Sequence, residues 1–145
     1  MTRVLVIDDD DDVRKTIVSA LNFNGFDTTD VDNCNDAVKT ISAQSFDLFV
    51  CDLFMPEKDG IVTILAIRKT HPKTPIIVVT GGGRYFPVGG NGLDDLLKNV
   101  EYFGVTHFLV KPFRPSQLVS LVKLLLEAEV RTESSGDLPS GNLTV

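Results

Sequence analysis

Five consecutive aspartates, Asp8 to Asp12, follow directly after an apolar run, Val4 to Ile7. The run predicts a buried strand, so several carboxylates emerge together at its carboxyl end. Carboxylates this close repel one another, and a hard divalent cation, which prefers oxygen ligands, is the usual compensation. A further carboxylate, Asp52, follows a second apolar run at residues 47–51. If the two strands are neighbours in one sheet, the sequence predicts an acidic metal-binding pocket at the edge of that sheet.

Two other side chains with suitable chemistry stand at predicted strand ends. Thr80 follows the β-branched run at residues 76–79, and Lys111 follows the strand predicted over 106–110. An aspartate can act as a nucleophile and form an acyl phosphate, and a divalent cation offsets the repulsion between its carboxylate and phosphoryl oxygens. A lysine can pair with one phosphoryl oxygen, and a threonine hydroxyl can donate a hydrogen bond to another. The combination predicts phosphoryl transfer onto Asp52.

Strand and helix patterns alternate along the chain. Apolar runs predict strands over residues 3–7, 47–51, 76–79 and 106–110, and a weaker, more polar pattern predicts another over 26–31. Apolar residues at helical spacing predict helices over residues 11–24, 35–44, 61–68, 93–103 and 115–129. Because βαβ units are right-handed and give parallel sheets, we predict an α/β fold, a doubly wound five-stranded parallel sheet with helices on both faces. The second strand is more polar and is predicted to lie at an edge of the sheet. In a doubly wound sheet, a functional site lies outside the carboxyl ends of the strands, at the point where the strand order reverses.

Composition limits the functional classes. The chain has 145 residues with 43% hydrophobic content, enough for one domain with its own core. The net charge of −6 disfavours sequence-independent binding to nucleic acid or anionic lipid. No apolar run approaches the roughly 20 residues that span a membrane. The first strand starts too early to leave room for a signal peptide, so we expect a cytoplasmic protein.

The cysteines and histidines indicate no second reactive site. Two cysteines, Cys34 and Cys51, are too few for a disulfide framework. Strand alternation points Cys51 away from Asp52, so both thiols are predicted to be buried and structural. The histidines, His71 and His107, have no partner at ligand spacing, which disfavours a histidine metal site.

The residues at the strand ends together resemble the receiver domain family of response regulators in two-component signalling. The matching segments are Val6 to Asp9, Asp52 to Gly60, Val78 to Gly81 and Phe108 to Phe113. The resemblance covers residues 2–128 and implies a flavodoxin-like sheet with strand order 2-1-3-4-5. We therefore predict a receiver domain over residues 1–130. Residues 131–145 are rich in Ser, Gly and Thr and are predicted to form a flexible tail.

The resemblance implies an acceptor and a set of metal ligands. Asp52 would be the phosphoacceptor. Asp9 would bind Mg²⁺ or Mn²⁺ directly, Asp8 would bind it through water, and the backbone carbonyl of Phe54 would complete the protein ligands. Asp10 to Asp12 exceed the family's usual pair of acidic residues, and we interpret them as charges that interact with a helix N-terminus.

The resemblance also implies a switch. Lys111 would pair with the acceptor and then with the phosphoryl group, and a cis peptide bond would join it to Pro112. Thr80 and the aromatic Phe108 would be the switch pair, with the hydroxyl moving toward the phosphoryl group and the ring turning inward. The last two helices and the last strand would form the output face, which is also a common dimerisation surface in the family.

One segment departs from the family pattern. The span from Thr80 to Lys111 is longer than usual by about nine residues, and the extra length lies in the glycine-rich segment 81–92. That segment has neither of the glycine spacings that cradle nucleotide phosphates, which disfavours nucleotide binding. A flexible insertion or a docking surface is favoured, with the Arg, Tyr and Phe at residues 84–86 as candidate contacts.

The leading functional prediction is a stand-alone receiver, not an enzyme with steady turnover. It would take a phosphoryl group from a histidine kinase or phosphotransfer protein onto Asp52 and change its affinity for an unknown downstream protein, without direct contact to nucleic acid or membrane. Three alternatives are a metal-dependent phosphatase or phosphotransferase, a phosphorylation-independent interaction module, and a receiver fragment of a larger regulator. The enzyme is disfavoured because Phe54 stands where a second acid/base carboxylate would be expected.

Overall fold

Strands and helices alternate through the chain in a computed structural model, which describes residues 1–55, 60–81, 103–105 and 107–135. The described elements are β1 (Arg3–Ile7), α1 (Asp11–Phe23), β2 (Asp27–Val31), α2 (Cys34–Ala43), β3 (Leu48–Asp52), α3 (Gly60–Thr70), β4 (Ile76–Thr80), β5 (His107–Val110) and the C-terminal helix α4 (Pro115–Ser135). Nearly all of the helix predicted over 93–103, and of the glycine-rich segment 81–92, lies outside the described residues.

The strands form one parallel sheet in the order β2-β1-β3-β4-β5. This order confirms the predicted doubly wound α/β fold and places the polar strand β2 at an edge. The central strands β1 and β3 are neighbours, with Ile7 opposite Cys51. Asp8 and Asp52, the next residues along these two strands, therefore leave the sheet side by side. The predicted acidic pocket required these two strands to be neighbours, and they are.

The sheet separates two apolar clusters because successive side chains of a strand point to opposite faces. One face packs against α2 and α3 and includes Leu5, Ile7, Phe49, Cys51, Ile76 and Val78. The other packs against α1 and α4 and includes Val4, Val6, Leu48, Val50, Ile77 and Val79. Each fully buried aliphatic or aromatic side chain stabilises the fold by about 1.5–3 kcal/mol. Strands β1 and β3 contribute to both clusters, and Asp8 and Asp52 stand at or directly after their carboxyl ends.

Helix α1 begins and ends as its sequence predicts. The Asp10 carboxylate accepts hydrogen bonds from the backbone N–H groups of Asp12 and Val13 and so caps the helix. Asp11 and Asp12 lie in the first turn, where negative charge interacts favourably with the helix dipole. At the other end Gly25 has a φ of 87°, in the left-handed region that residues with a Cβ rarely adopt, and glycine commonly ends helices in this way. The extra aspartates therefore anchor the start of α1.

Two expectations about helices are wrong. The apolar pattern of the helix predicts that Val38 faces inward with Ala37 and Ile41, but Val38 is 37% exposed. Ala37 and Ile41 are four residues apart and share the buried face, whereas Val38 is rotated by about 100° from Ala37 and lies to one side of that face. Helix α4 continues to Ser135, so residues 131–135 are helical and not part of a flexible tail. The first glycine after residue 130 is Gly136, so no helix breaker interrupts the chain before it.

The described part of the chain contains no helix with the length and apolar composition needed to cross a bilayer. This matches the absence of a long apolar run in the sequence.

Candidate functional site

Three carboxylates converge at the carboxyl edge of the sheet. One oxygen from each of Asp8, Asp9 and Asp52 lies within 4.8 Å of the others. Asp8 and Asp52 are buried, at 1% and 3% exposure, whereas Asp9 is exposed. The loop after β1 supplies the first two carboxylates, and the end of β3 supplies the third. The structure therefore brings together the residues that the sequence predicted would form an acidic pocket.

Lys111 places a positive charge against two of these carboxylates. Its Nζ lies 2.9 Å from Asp8 Oδ2 and 3.2 Å from Asp52 Oδ2. The residue follows β5, its backbone N–H donates to the Thr80 carbonyl at 2.7 Å, and the bond to Pro112 is cis, as expected. Burial alone would lower the pKa of Lys111, but contact with the two carboxylates raises it above its ordinary value. Lys111 is thus a cation at the site.

Asp52 is held in an unusual electrostatic environment. Burial, followed by the negative charge of Asp8, raises the pKa of Asp52 from 3.8 to about 7. The Phe54 backbone N–H donates to Asp52 Oδ1 at 3.0 Å, and this bond and Lys111 both favour the charged form. These contacts therefore offset only part of the cost of charging the carboxylate. A further positive charge beside Asp52 would favour its ionised form.

The donor set fits a divalent cation. Asp8 Oδ1 accepts a hydrogen bond from the Asp10 backbone N–H at 2.9 Å. Asp8 Oδ2 is buried and, among the described atoms, has no hydrogen-bond donor in suitable geometry, although Lys111 Nζ is close enough for an ion pair. Burying a polar atom without a hydrogen bond costs about 1–3 kcal/mol, and the ion pair with Lys111 offsets part of that cost for this oxygen. A cation bound by carboxylate oxygens would remove that cost, and carboxylate oxygens suit Mg²⁺ or Mn²⁺.

The predicted switch residues lie in β4, which is next to the acceptor strand β3, and in β5, which is next to β4. Thr80 is the last residue of β4 and is buried, at 3% exposure. Phe108 lies in β5, is half-buried, and packs against the cluster on the α2 and α3 face. The backbone bond from Lys111 to the Thr80 carbonyl ties the ends of β4 and β5 together. The proposed movements of Thr80 and Phe108, and the use of the Phe54 carbonyl as a ligand, stay predictions.

Gly60 supports the acceptor strand in a way that the sequence did not reveal. The helix predicted over residues 61–68 begins one residue after it, and residues 56–59 before it lie outside the described residues. Its N–H donates to the Leu53 carbonyl at 2.7 Å. A Cβ at this position would lie 2.4 Å from the Asp52 carbonyl oxygen and 2.6 Å from Leu53 Cα. The position therefore requires glycine, because α3 begins against the backbone of the acceptor strand.

Arg14 is a second residue that sequence reasoning missed. Its guanidinium contacts the backbone carbonyl of Asp8, the carboxylate of Asp11 and the carboxylate of Asp30. The spacing of three residues from Asp11 on one helix is visible in the sequence. The contact with Asp30 is not, because it depends on the pairing of β2 with β1.

Both thiols are buried, as predicted, and His71 makes a structural contact. Cys34 and Cys51 are both buried free thiols, and Cys51 belongs to the opposite face of the sheet from Val50. Burial raises the pKa of the Cys51 thiol, so the reactive thiolate is disfavoured. The His71 ring accepts a hydrogen bond from the Phe46 backbone N–H at 3.3 Å and thus has a structural role.

A cavity of about 510 Å³ opens beside the site. Apolar side chains from α1 and from the segment after β5 form much of its wall, among them Val13, Ile17 and Phe113. Asp10 and Lys111 contribute polar atoms. The cavity gives side chains of another molecule a place to pack next to the acidic cluster.

Comparisons with known proteins agree with this geometry. The family model for the response regulator receiver domain matches residues 4–123. The transcriptional regulatory protein CpxR of Escherichia coli is 30% identical over 145 residues, which cover 100% of this chain and 58% of CpxR. The transcriptional regulatory protein PrrA of Mycobacterium tuberculosis is 31% identical over 145 residues, which cover 99% of this chain and 58% of PrrA. The chain thus spans 58% of the length of these curated relatives.

A solved structure supports the fold independently. A CheY-like response regulator receiver domain protein from Methanospirillum hungatei superposes with a TM-score of 0.79 at 21% identity, covering 91% of this chain and 98% of that one. At this identity the likeness concerns the fold alone.

Proposed function

Because this chain belongs to the response regulator receiver domain family, we propose that it accepts a phosphoryl group on Asp52 and thereby changes its affinity for a partner protein. The observation that carries the proposal is the buried Asp52 carboxylate, which lies beside Asp8 and Asp9 and 3.2 Å from Lys111 Nζ. Members of this family generally bind Mg²⁺ in such an acidic pocket. The donor atoms at this edge of the sheet suit that ion.

The chemistry is a transfer between two residues. An ionised oxygen of Asp52 attacks the phosphorus of a phosphohistidine on the donor protein, the new O–P bond forms, and the P–N bond to the histidine breaks. When bound to Asp8, Asp9, Asp52 and the Phe54 carbonyl, Mg²⁺ or Mn²⁺ would supply positive charge that offsets repulsion between the carboxylates and the phosphoryl oxygens. That charge also favours the ionised form of Asp52, which nucleophilic attack requires.

The chain's own groups orient the acceptor. The Phe54 N–H holds Asp52 Oδ1, and Lys111 Nζ lies beside Oδ2. Lys111 can stay at the site after transfer and pair with a phosphoryl oxygen, because its long side chain already lies between Asp8 and Asp52. Preorganised positive charge of this kind lowers the barrier without rearrangement of solvent.

The response to phosphorylation would pass through β4 and β5. We propose that the Thr80 hydroxyl moves to a phosphoryl oxygen and that Phe108 turns inward. The backbone bond between Lys111 and Thr80 would couple the two strand ends during this change. The output surface would then be built from β5, α4 and the helix predicted over 93–103. A homodimer through the same surface stays a prediction.

The partners are proposed from chemistry and family. The donor would be a histidine kinase or phosphotransfer protein, whose side chains could pack in the cavity beside Asp10 and Lys111. The downstream partner is an unknown protein. Steady hydrolytic turnover is not expected, because Phe54 supplies only backbone atoms at the position where an enzyme would need a second carboxylate.

A second candidate is the receiver part of a larger regulator. It is favoured by one finding, that the chain spans 58% of the length of relatives named as transcriptional regulatory proteins. In that case the switch surface would contact an attached output segment instead of a separate protein. The phosphorylation chemistry at Asp52 would be the same in both cases.

Intact-mass spectrometry tests the proposal. The protein is incubated with acetyl phosphate in the presence of Mg²⁺ or of EDTA, beside Asp52→Asn. The matched control is Asp27→Asn, which removes an exposed carboxylate at the amino end of β2, opposite the end of the sheet that carries Asp52. We expect one Mg²⁺-dependent phosphoryl adduct in the wild type and the control, and none in Asp52→Asn. No adduct in the wild type would overturn the proposal and favour a phosphorylation-independent interaction module.

A further inference from the structure

Arg14 lies at the junction of three segments beside the acidic cluster. Its side chain is 12% exposed although it is charged. Nη1 donates to the Asp8 backbone carbonyl at 2.8 Å, Nη2 lies 2.6 Å from Asp11 Oδ1, and Nε lies 2.8 Å from Asp30 Oδ2. Each of the three guanidinium nitrogens therefore contacts a different segment: the residue after β1, helix α1 and strand β2.

The contact with Asp8 is to its backbone, not to its carboxylate. The Asp8 carbonyl belongs to the peptide group that joins Asp8 to Asp9, so Arg14 restrains the backbone between the two carboxylates. The Asp8 side chain is restrained separately, because Oδ1 accepts the Asp10 N–H. A second backbone bond, from the Asp8 N–H to the Val31 carbonyl at 3.2 Å, ties the same residue to β2. Arg14 therefore restrains the peptide group that leads from Asp8 into Asp9, while Asp8 itself has these two further restraints.

We propose that Arg14 is a positioning residue that sets the affinity of the acidic cluster for a divalent cation by holding the Asp8–Asp9 peptide. This inference rests on the metal-binding part of the proposed function. Arg14 does not contact the cation in this account; it acts through the backbone of two ligands. Groups that orient ligands from behind commonly change metal affinity by about 10- to 100-fold when they are removed.

Charge alone predicts the opposite result, which makes the inference testable. Arg14 is a cation next to a site for a cation, so its removal reduces electrostatic repulsion and should tighten Mg²⁺ binding if geometry is unimportant. If positioning dominates, its removal weakens Mg²⁺ binding. Lysine retains the charge but cannot reach three acceptors at once, because it lacks the planar fork of arginine.

The experiment is an NMR titration of the metal-free protein with MgCl₂, following the backbone amides of Asp9 and Phe54. Wild type, Arg14→Gln and Arg14→Lys are compared with Arg68→Gln. Arg68 is a matched control because its guanidinium likewise donates to three acceptors, here the backbone carbonyls of Phe103, His71 and Thr74, away from Asp8, Asp9 and Asp52. Thermal unfolding in EDTA shows how far each variant is destabilised.

We expect the Mg²⁺ dissociation constant to rise about 10-fold in Arg14→Gln and also to rise in Arg14→Lys. Arg68→Gln should lose stability and keep the wild-type constant. Unchanged or tighter binding by Arg14→Gln overturns the inference, and so does wild-type binding by Arg14→Lys. A wild type without saturable Mg²⁺ binding overturns both the proposed function and the inference, whereas a binding wild type with an equally good Arg14→Gln overturns the inference alone.

Discussion

The metal-free protein should lose stability as the pH rises toward neutrality, and Asp52 should be the cause. Burial, with the charge of Asp8, raises the pKa of Asp52 from 3.8 to about 7 in the folded protein. In the unfolded chain the carboxyl group titrates near its ordinary value, so the folded state binds more protons between these two pH values. The free energy of unfolding therefore falls with rising pH across this window. The contribution is fully present below pH 3.8 and is lost once the pH passes about 7.

The size of this loss in unfolding free energy follows from the difference between the folded and unfolded pKa values of Asp52. One pKa unit corresponds to 1.36 kcal/mol, so the full shift of about three units amounts to about 4 kcal/mol. Between pH 5 and pH 7 the unfolded carboxyl group is already ionised and the folded one is largely protonated. We therefore expect a loss of about 2–3 kcal/mol over those two pH units. This is a large part of the total stability of an ordinary domain.

Urea unfolding in EDTA at pH 5, 6, 7 and 8 measures this loss. The chain has no tryptophan, so far-UV circular dichroism is the suitable signal. Asp52→Asn carries no titrating group at this position and should show a flatter profile, whereas the Asp27→Asn control should follow the wild type. Mg²⁺ at 100 times its dissociation constant should restore about 2.7 kcal/mol at pH 8. Parallel pH profiles for wild type and Asp52→Asn would refute the reasoning.

Three other residues give predictions that single substitutions can check. Gly60→Ala should destabilise the protein by about 2 kcal/mol or more in thermal unfolding, because its Cβ would lie 2.4 Å from the Asp52 carbonyl oxygen; equal stability would contradict the close approach. Lys111→Met should reduce acetyl phosphate labelling at least about 10-fold while Mg²⁺ binding is retained or tightened, because the variant loses the positive charge but no carboxylate; wild-type labelling would remove Lys111 from the mechanism. Burial and the charge of Arg68 lower the pKa of His71, so its contribution to stability should be present above the ordinary histidine value and lost as the pH falls below it. An NMR titration of the His71 ring that gave an ordinary or raised pKa would contradict this sign.

Much of the site could be predicted because its residues occupy strand ends. The buried run at residues 76–79, the apolar runs before Asp8 and Asp52, and the alternation with helices together predict a parallel sheet. In such a sheet all carboxyl ends meet at one edge, so Asp8, Asp52 and Lys111 converge without any knowledge of side-chain contacts. The turn at Gly25 and the acidic cap of α1 are local features and were also predictable.

The tertiary structure decided how these groups share charge and space. The sequence alone did not show that Asp8 is buried and Asp9 exposed, or that Lys111 lies nearer to Asp8 than to Asp52. Both the burial of each carboxylate and its distance from Lys111 depend on side-chain packing between elements that are distant along the chain. They determine which carboxylate is costly to ionise, and therefore the pKa of Asp52.

What the sequence by itself determined is the class of fold, the edge at which the acidic residues meet and the type of chemistry that they suit, because these follow from local patterns and from the geometry of parallel sheets. The helical state of residues 131–135 and the outward face of Val38 were not determined in that way. Only the tertiary structure revealed the Arg14 contacts and the glycine requirement at residue 60. Both arise where separate elements touch: Arg14 reaches Asp30 because β2 pairs with β1, and Gly60 touches the Asp52 backbone because α3 begins against β3.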